Sequence, residues 1–281
     1  MTAYHLIPAK FLQQPVRIAV VGCGGNGSQM LTGLARLHMA LLAKGHPEGL
    51  SVTAFDPDRV STANVGRQMF YPADVGHFKA HVLIHRINCS FGLDWKGYPG
   101  RFEEILSGMN PVDIVIGCVD TAAARRSIAA SYLTRYWLDL GNSKRIGQVV
   151  FGKVRLRGVA HLVANDKQIL PTVLDLFPEL DREDFEEEDT PSCSLAEALD
   201  KQDLFVNDHV SRWALHLLWV WFSQGKIAHH GYFINLEDGR VNPIPVPTGR
   251  EVQHGSAGNG NCTTALAGQM VAGLDVGEGR T

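Results

Sequence analysis

The sequence predicts an α/β fold, a Rossmann-like, doubly wound, mostly parallel sheet with a C-terminal mixed or antiparallel extension. Three observations carry this expectation. The β-branched run Val16–Val21 passes directly into the glycine-rich turn Gly22–Gly27 and then into a helical pattern. Strand-length apolar runs then alternate with helical stretches as far as Val154, the rhythm of a parallel sheet. Near the end, two strand patterns flank Asp238–Gly239, a favourable hairpin turn pair.

Taken in order, Val16–Val21 (VRIAVV) reads as a buried strand between Pro15 and Gly22. Gln29–Ala43, rich in Leu, Met and Ala, reads as the helix after the turn, and the loop Lys44–Gly49 ends it. Ser51–Phe55 is the next strand and stops at Asp56, completing a strand–turn–helix–strand unit of the kind that builds parallel sheets. Gly76–Asn88 predicts a helix, Trp95–Tyr98 a short strand, and Asp113–Cys118 a buried strand with Asp120 just beyond its end. Thr121–Thr134 predicts an Ala-rich helix, and Trp137–Leu140 and Gly147–Val154 two more strands. From Ile169 to Pro191, prolines and carboxylates replace periodicity, so this segment reads as a long surface loop. Leu195–Leu199 is a short helix, Phe205–Phe222 a long apolar one, and Tyr232–Leu236 with Val241–Val246 the hairpin. The whole reads as one unit: residues 1–165 as the nucleotide-binding half, 166–200 as an acidic crossover loop, 201–248 as helix and hairpin, and 249–281 as a Gly-rich tail.

Composition narrows the function classes. The chain has 281 residues, a hydrophobic content of 45% and a net charge of −3. The segment Glu179–Asp189 alone carries a net −7, which leaves a mildly basic body suited to phosphates but too weakly charged for a nucleic-acid surface. No stretch reaches the ~18 apolar residues of a membrane helix, and the first residues lack a signal-peptide layout, which predicts a cytoplasmic protein. Five scattered cysteines, none in a CxxC pair, argue against a disulfide framework and a four-cysteine zinc site.

Three constellations carry chemistry. In Gly22-Cys-Gly24-Gly25-Asn-Gly27-Ser, the glycines let the backbone approach a phosphate, and the helix start after them turns its N–H groups and dipole toward the anion. Dehydrogenases, flavoproteins and methyltransferases share such a turn. Asp56, at the end of the second strand, is placed to hold a ribose hydroxyl of NAD or of ATP. The residues beyond it favour a triphosphate: Asp58, Asn64, Arg67, Gln68 and Lys79 crowd phosphate-binding side chains past the strand end, with a bidentate guanidinium and a lysine point charge among them. Asp120 is placed either to hold Mg²⁺ beside the phosphates or to cap the helix after it.

These motifs, GxGGxGS, DPDxVxxxNxxRQ, DxGxxKA and a strand ending CxD with an arginine five residues on, run in order from Val16 to Arg125 and resemble the ThiF/MoeB/ubiquitin-activating enzyme family. The later PSCSLAEAL and QDLFVND segments resemble ThiF-family proteins of the PRTRC cassette. The resemblance implies a single adenylation domain that uses ATP and Mg²⁺ to adenylate the C-terminal carboxylate of a small β-grasp protein, either ubiquitin-like or a sulfur carrier. It implies that Gly22, Gly24, Gly25 and Gly27 cradle the nucleotide and that Asp56 holds the ribose. Asn64, Arg67, Gln68 and Lys79 would handle phosphates and Asp120 the metal. It also implies a homodimer, an expectation that the apolar residues of Phe205–Phe222 share. Two departures stand out: residues 1–15 hold no arginine to act across a dimer, and no zinc is expected without CxxC pairs.

Cys193 is the candidate nucleophile for capturing an acyl-adenylate, because Ser194–Glu197 is a capping-box pattern that sets Cys193 just before a helix N-terminus. Its alternative reading is a small apolar anchor for the loop. Cys23, Cys89 and Cys118 read as structural, and Cys262 as a minor rival. Other functions left open are adenylation of a different carboxylate such as that of a modified tRNA base, an NAD-dependent dehydrogenase, and a nucleotide-binding scaffold without turnover.

Overall fold

Buried β-branched runs set the frame. In the computed structural model, which describes residues 2–105, 111–131, 134–154, 170–182, 185 and 194–248, strand β2 (Val16–Val21) lies in mid-sheet. It is flanked in parallel by β3 (Leu50–Phe55) and β5 (Val112–Gly117). β4 (Lys96–Tyr98) adds in parallel outside β3, and β6 (Thr134–Asn142) outside β5. The sheet then turns antiparallel through β7 (Ile146–Lys153), β9 (His229–Asn235) and β10 (Arg240–Pro245). The order in this 8-stranded sheet is β10-β9-β7-β6-β5-β2-β3-β4. Pro243 and Pro245 lie on the β10 edge, where a missing N–H is tolerated. β1 (His5–Leu6) and β8 (Lys226–Ile227) form a separate two-stranded pair with no clear sequence signal.

Alternate residues of the strands feed two cores. Val16, Ile18, Val20, Ile114, Leu138 and Phe151 face α1 (Gly25–Ala43), α2 (Lys79–Phe91) and α7 (Val206–Gln224). Ala19, Val21, Val115, Trp137 and Val150 face the other side, with α3 (Phe102–Ile105), α4 (Ala122–Ala130) and α5 (Val173–Leu176). Helices on both faces make the sheet doubly wound, as the alternation predicts.

Several boundaries move. α1 starts at Gly25 rather than Gln29, because the last glycines of the turn already form its first turn. α2 starts at Lys79 rather than Gly76, since Gly76 has φ +88. α4 ends at Ala130 rather than Thr134, and Thr134 is instead the first residue of a longer β6. The expected long surface loop from Ile169 is partly packed. Leu170, Val173, Phe177 and Leu180 are buried, and Arg126 holds the carbonyls of Leu180 and Arg182. α7 is a core helix against α1, β6, β7 and β9, and Leu217 and Trp221 are buried within the chain. Its apolarity therefore supplies no argument for a second copy. α6 (Leu195–Lys201) has Ser194 as its N-cap, accepting from the Glu197 N–H as the capping pattern predicts. Cys193, Cys262 and the tail from Gly249 lie outside the described residues.

Candidate functional site

The sheet order reverses at β2, whose neighbours β3 and β5 come from opposite windings, and ligand crevices open at the strand C-termini of such a switch point. Gly22 ends β2 there with φ +89, and a Cβ on it would sit 2.6 Å from the Cys118 carbonyl oxygen. A Cβ on Gly27 would lie 1.9 Å from the Gly22 carbonyl oxygen, so turn and helix meet backbone to backbone. No side chain caps α1, so its first-turn N–H groups remain available to an anion.

A cavity of about 590 Å³ opens over this turn. Gly22, Gly24, Gly25, Asp56, Asp58, Arg67, Gln68, Lys79 and Asp120 all line it. Gly27 and Asn64 shape it from outside the lining. The Asn64 side-chain oxygen accepts from the Ser61 N–H, and its carbonyl accepts from the N–H groups of Arg67 and Gln68. Asn64 thus folds the loop that presents the two residues after it.

Asp56 is buried, and its two carboxylate oxygens accept from the Cys23 N–H at 2.6 Å and the Asp58 N–H at 2.8 Å. Burial raises its pKa against the pull of the Lys79 charge and those two N–H donors. Lys79, only 8% exposed, reaches the exposed Asp58 carboxylate at 2.8 Å. Arg67 donates from Nη1 to Gln202 Oε1 at 2.6 Å, and burial lowers its pKa. Its Nε, together with Gln68 Oε1, Asn26 Oδ1 and Asn207 Nδ2, is buried without a partner among the described residues. Orphaned polar atoms of this kind call for a ligand.

Asp120 is exposed beyond β5. It is not the helix cap: Thr121 is, with its hydroxyl accepting from the Ala124 N–H at 3.3 Å. Asp120 is instead placed through its carbonyl. Arg125 donates to the Val119 carbonyl at 2.9 Å and to the Asp120 carbonyl at 3.5 Å, and its Nε lies 3.3 Å from the fully buried Asp139 carboxylate. Gln148 Nε2 donates to the same carboxylate at 3.5 Å. Burial raises the Asp139 pKa, while Arg125 and Gln148 oppose that rise.

Asp139, Asn26, Asn142, Asn207, Gln148 and Gln202 are the parts that sequence reasoning missed. A carboxylate inside the apolar run Tyr136–Leu140 was the available signal for the first, and Asn207 opening an apolar helix for another. Among the cysteines, burial holds the Cys23 and Cys118 thiols well above the usual range. Cys89, which reads as structural in the sequence, is instead exposed on α2. No helix among the described residues is long and apolar enough to cross a membrane.

Comparison with protein families matches residues 10–273 to the ThiF family. The chain is 30% identical over 156 residues to ubiquitin-like modifier-activating enzyme 5 of Mus musculus, covering 50% of this chain and 36% of that one. It is 29% identical over 145 residues to the Dictyostelium discoideum protein of the same name, covering 45% and 35%. The chain thus spans about a third of the length of these relatives. Among solved structures, PaaA superposes with a TM-score of 0.52 at 15% identity, over 84% of this chain and 65% of that one. E. coli MccB with ATP gives 0.50 at 13%, over 84% and 64%. These two likenesses are likenesses of fold.

Proposed function

Since the chain belongs to the ThiF family, we propose that it adenylates the C-terminal carboxylate of a small ubiquitin-like or sulfur-carrier protein. The observation that carries this reading is the cavity at the switch point, where Lys79, Arg67 and the uncapped start of α1 converge and Arg67 Nε is left without a partner. An anion with several oxygens answers all three. Asp56 is set for the ribose. Asp120, an exposed carboxylate at the rim, fits Mg²⁺, which is commonly held by one or two carboxylates plus substrate phosphates. Bound there, the metal would offset phosphate charge.

In the step itself, a carboxylate oxygen of the acceptor forms a bond to the α-phosphorus of ATP, the bond to the β-phosphate bridge breaks, and pyrophosphate leaves. No proton moves, so the chain's contribution is alignment and stabilisation of negative charge by Arg67, Lys79 and the helix N-terminus. In a second step, the Cys193 sulfur attacks the acyl carbonyl, AMP leaves, and the thiol proton passes to solvent. Homodimerisation belongs to the proposal on family grounds alone, and light scattering that shows only monomer at micromolar concentration removes it.

The test is ATP–pyrophosphate exchange with candidate β-grasp proteins, followed by mass spectrometry for an adenylate and a thioester. Exchange dependent on the acceptor, lost in Asp120→Ala and kept in Cys193→Ala, is expected. Exchange lost equally in Cys193→Ala contradicts the two-step order. ATP binding without exchange for every acceptor points to a scaffold instead.

A further inference from the structure

Two cations of the cavity, Lys79 and Arg67, are held by partners of different kinds. Lys79 faces a carboxylate, Asp58 Oδ2 at 2.8 Å, so part of its charge is already offset. Arg67 faces an amide. Its Nη1 donates to Gln202 Oε1 at 2.6 Å, and burial lowers its pKa with no carboxylate among the described residues to oppose that effect. An amide oxygen fixes where a guanidinium points but brings no formal charge, so the full positive charge stays available to an anion. A carboxylate in the same place would fix the direction equally well and neutralise the cation.

Gln202 is itself held from both sides. It is the C-cap of α6, and its N–H donates to the Ala198 carbonyl at 3.0 Å. The next residue, Asp203, donates from its N–H to the Lys144 carbonyl at 2.9 Å and pairs with Arg145 at 3.4 Å. α6 packs on the turn Thr62–Asn64, with Ala198 buried and Leu195 Cδ2 3.8 Å from where a Cβ on Gly66 would lie. Arg67 follows directly, and its N–H donates to the Asn64 carbonyl at 3.3 Å. Its side chain is therefore fixed at the backbone and at one tip nitrogen, which leaves a long side chain few rotamers. Arg67 and Gln202 both line the cavity, and Arg67 Nε remains without a partner among the described residues.

We propose that Gln202 is a positioning residue for the polyphosphate: it aims the Arg67 guanidinium into the cavity and leaves its charge whole. The proposal rests on the reading of the cavity as an ATP site. It makes the identity of residue 202 a matter of charge as well as shape. An amide serves ATP there, and the isosteric carboxylate opposes it.

Two variants of the full chain separate direction from charge. Gln202→Glu keeps the shape and the hydrogen bond and adds a negative charge. Gln202→Met keeps the length and removes the acceptor. Affinities for ATP and AMP are read by calorimetric titration, stability by thermal melting, and turnover by acceptor-dependent ATP–pyrophosphate exchange. Gln202→Glu is expected to melt at or above the wild-type temperature, because it completes an ion pair with Arg67, yet to bind ATP at least about tenfold more weakly. AMP, with a single phosphate, loses less than ATP does. Gln202→Met keeps the cation but not its aim, so kcat for exchange falls at least about tenfold while KM for ATP stays within about threefold. A purely structural role for Gln202 moves stability and affinity together, whereas positioning moves them apart. Gln202→Glu with wild-type ATP affinity, an equal loss for AMP and ATP, or a loss of affinity that tracks a lowered melting temperature would each overturn the proposal. If Gln202→Met does not fold, the Gln202→Glu contrast decides alone. The expected contrast in ATP binding without exchange for any acceptor removes the adenylation reading and leaves the positioning role standing. Acceptor-dependent exchange that both variants leave unchanged does the reverse.

Discussion

Replacing Asp139 with alanine isolates what the buried ion pair under the cavity does. The Asp139 side chain is 1% exposed and that of Arg125 is 7% exposed, so the substitution takes a carboxylate partner from a guanidinium in the interior. The backbone carbonyls of Val119 and Asp120 remain among its acceptors, and the Gln148 Nε2 bond to Asp139 is lost too. Removing one member of a buried pair costs about 3–5 kcal/mol, mostly from the uncompensated charge. Urea denaturation is the assay, with a lower midpoint at unchanged slope as the signature. The double variant Asp139→Leu/Arg125→Met removes both charges and is expected to recover most of that loss, since well-packed apolar replacements of buried pairs are neutral or stabilising. It does not recover function. Without Arg125, the Val119 and Asp120 carbonyls lose their tether and Asp120 drifts at the rim, so ATP–pyrophosphate exchange stays at least about tenfold below wild type. A single-variant loss below about 1 kcal/mol, or a double variant with full exchange, refutes this account of the pair.

Gly27→Ala drives a Cβ to 1.9 Å from the Gly22 carbonyl oxygen, and since backbone cannot swing aside, a loss of about 3 kcal/mol and of ATP affinity together is expected, measurable by thermal melting and calorimetry. His230 is buried with its pKa pushed down to about 4, so the unfolded chain takes up a proton first as pH falls. Stability is then full above about pH 6.5 and declines toward pH 4 by roughly 3 kcal/mol, and His230→Gln flattens that part of the profile in urea titrations. Among Cys23, Cys89 and Cys118, iodoacetamide at pH 8 modifies the exposed Cys89 first in peptide mapping, because desolvation keeps the buried Cys23 and the half-buried Cys118 as thiols; labelling of Cys118 before Cys89 contradicts that account.

What the sequence determined by itself is what local chemistry enforces. Val16–Val21 followed by Gly22 dictated a strand and a tight turn, because β-branched residues fit a pleated surface and a positive φ demands glycine. Asp56 and Asp120 were legible because a carboxylate just past a buried strand sits at the sheet edge that receives ligands. Short-range signals also found Ser194, whose cap bond spans three residues. Tertiary structure alone decided the partnerships between distant residues. Arg67 meets Gln202 across 135 residues, and Ser211 meets the Asn26 carbonyl across 185. Asn207 reads locally as a polar residue at a helix start. It becomes part of the cavity because α7 crosses the first turn of α1, a placement set by how Leu217 and Trp221 pack in the core. Periodicity says which face of a helix is apolar, but not which strand or turn that face will cover. The amide cluster therefore comes into being only when the core closes.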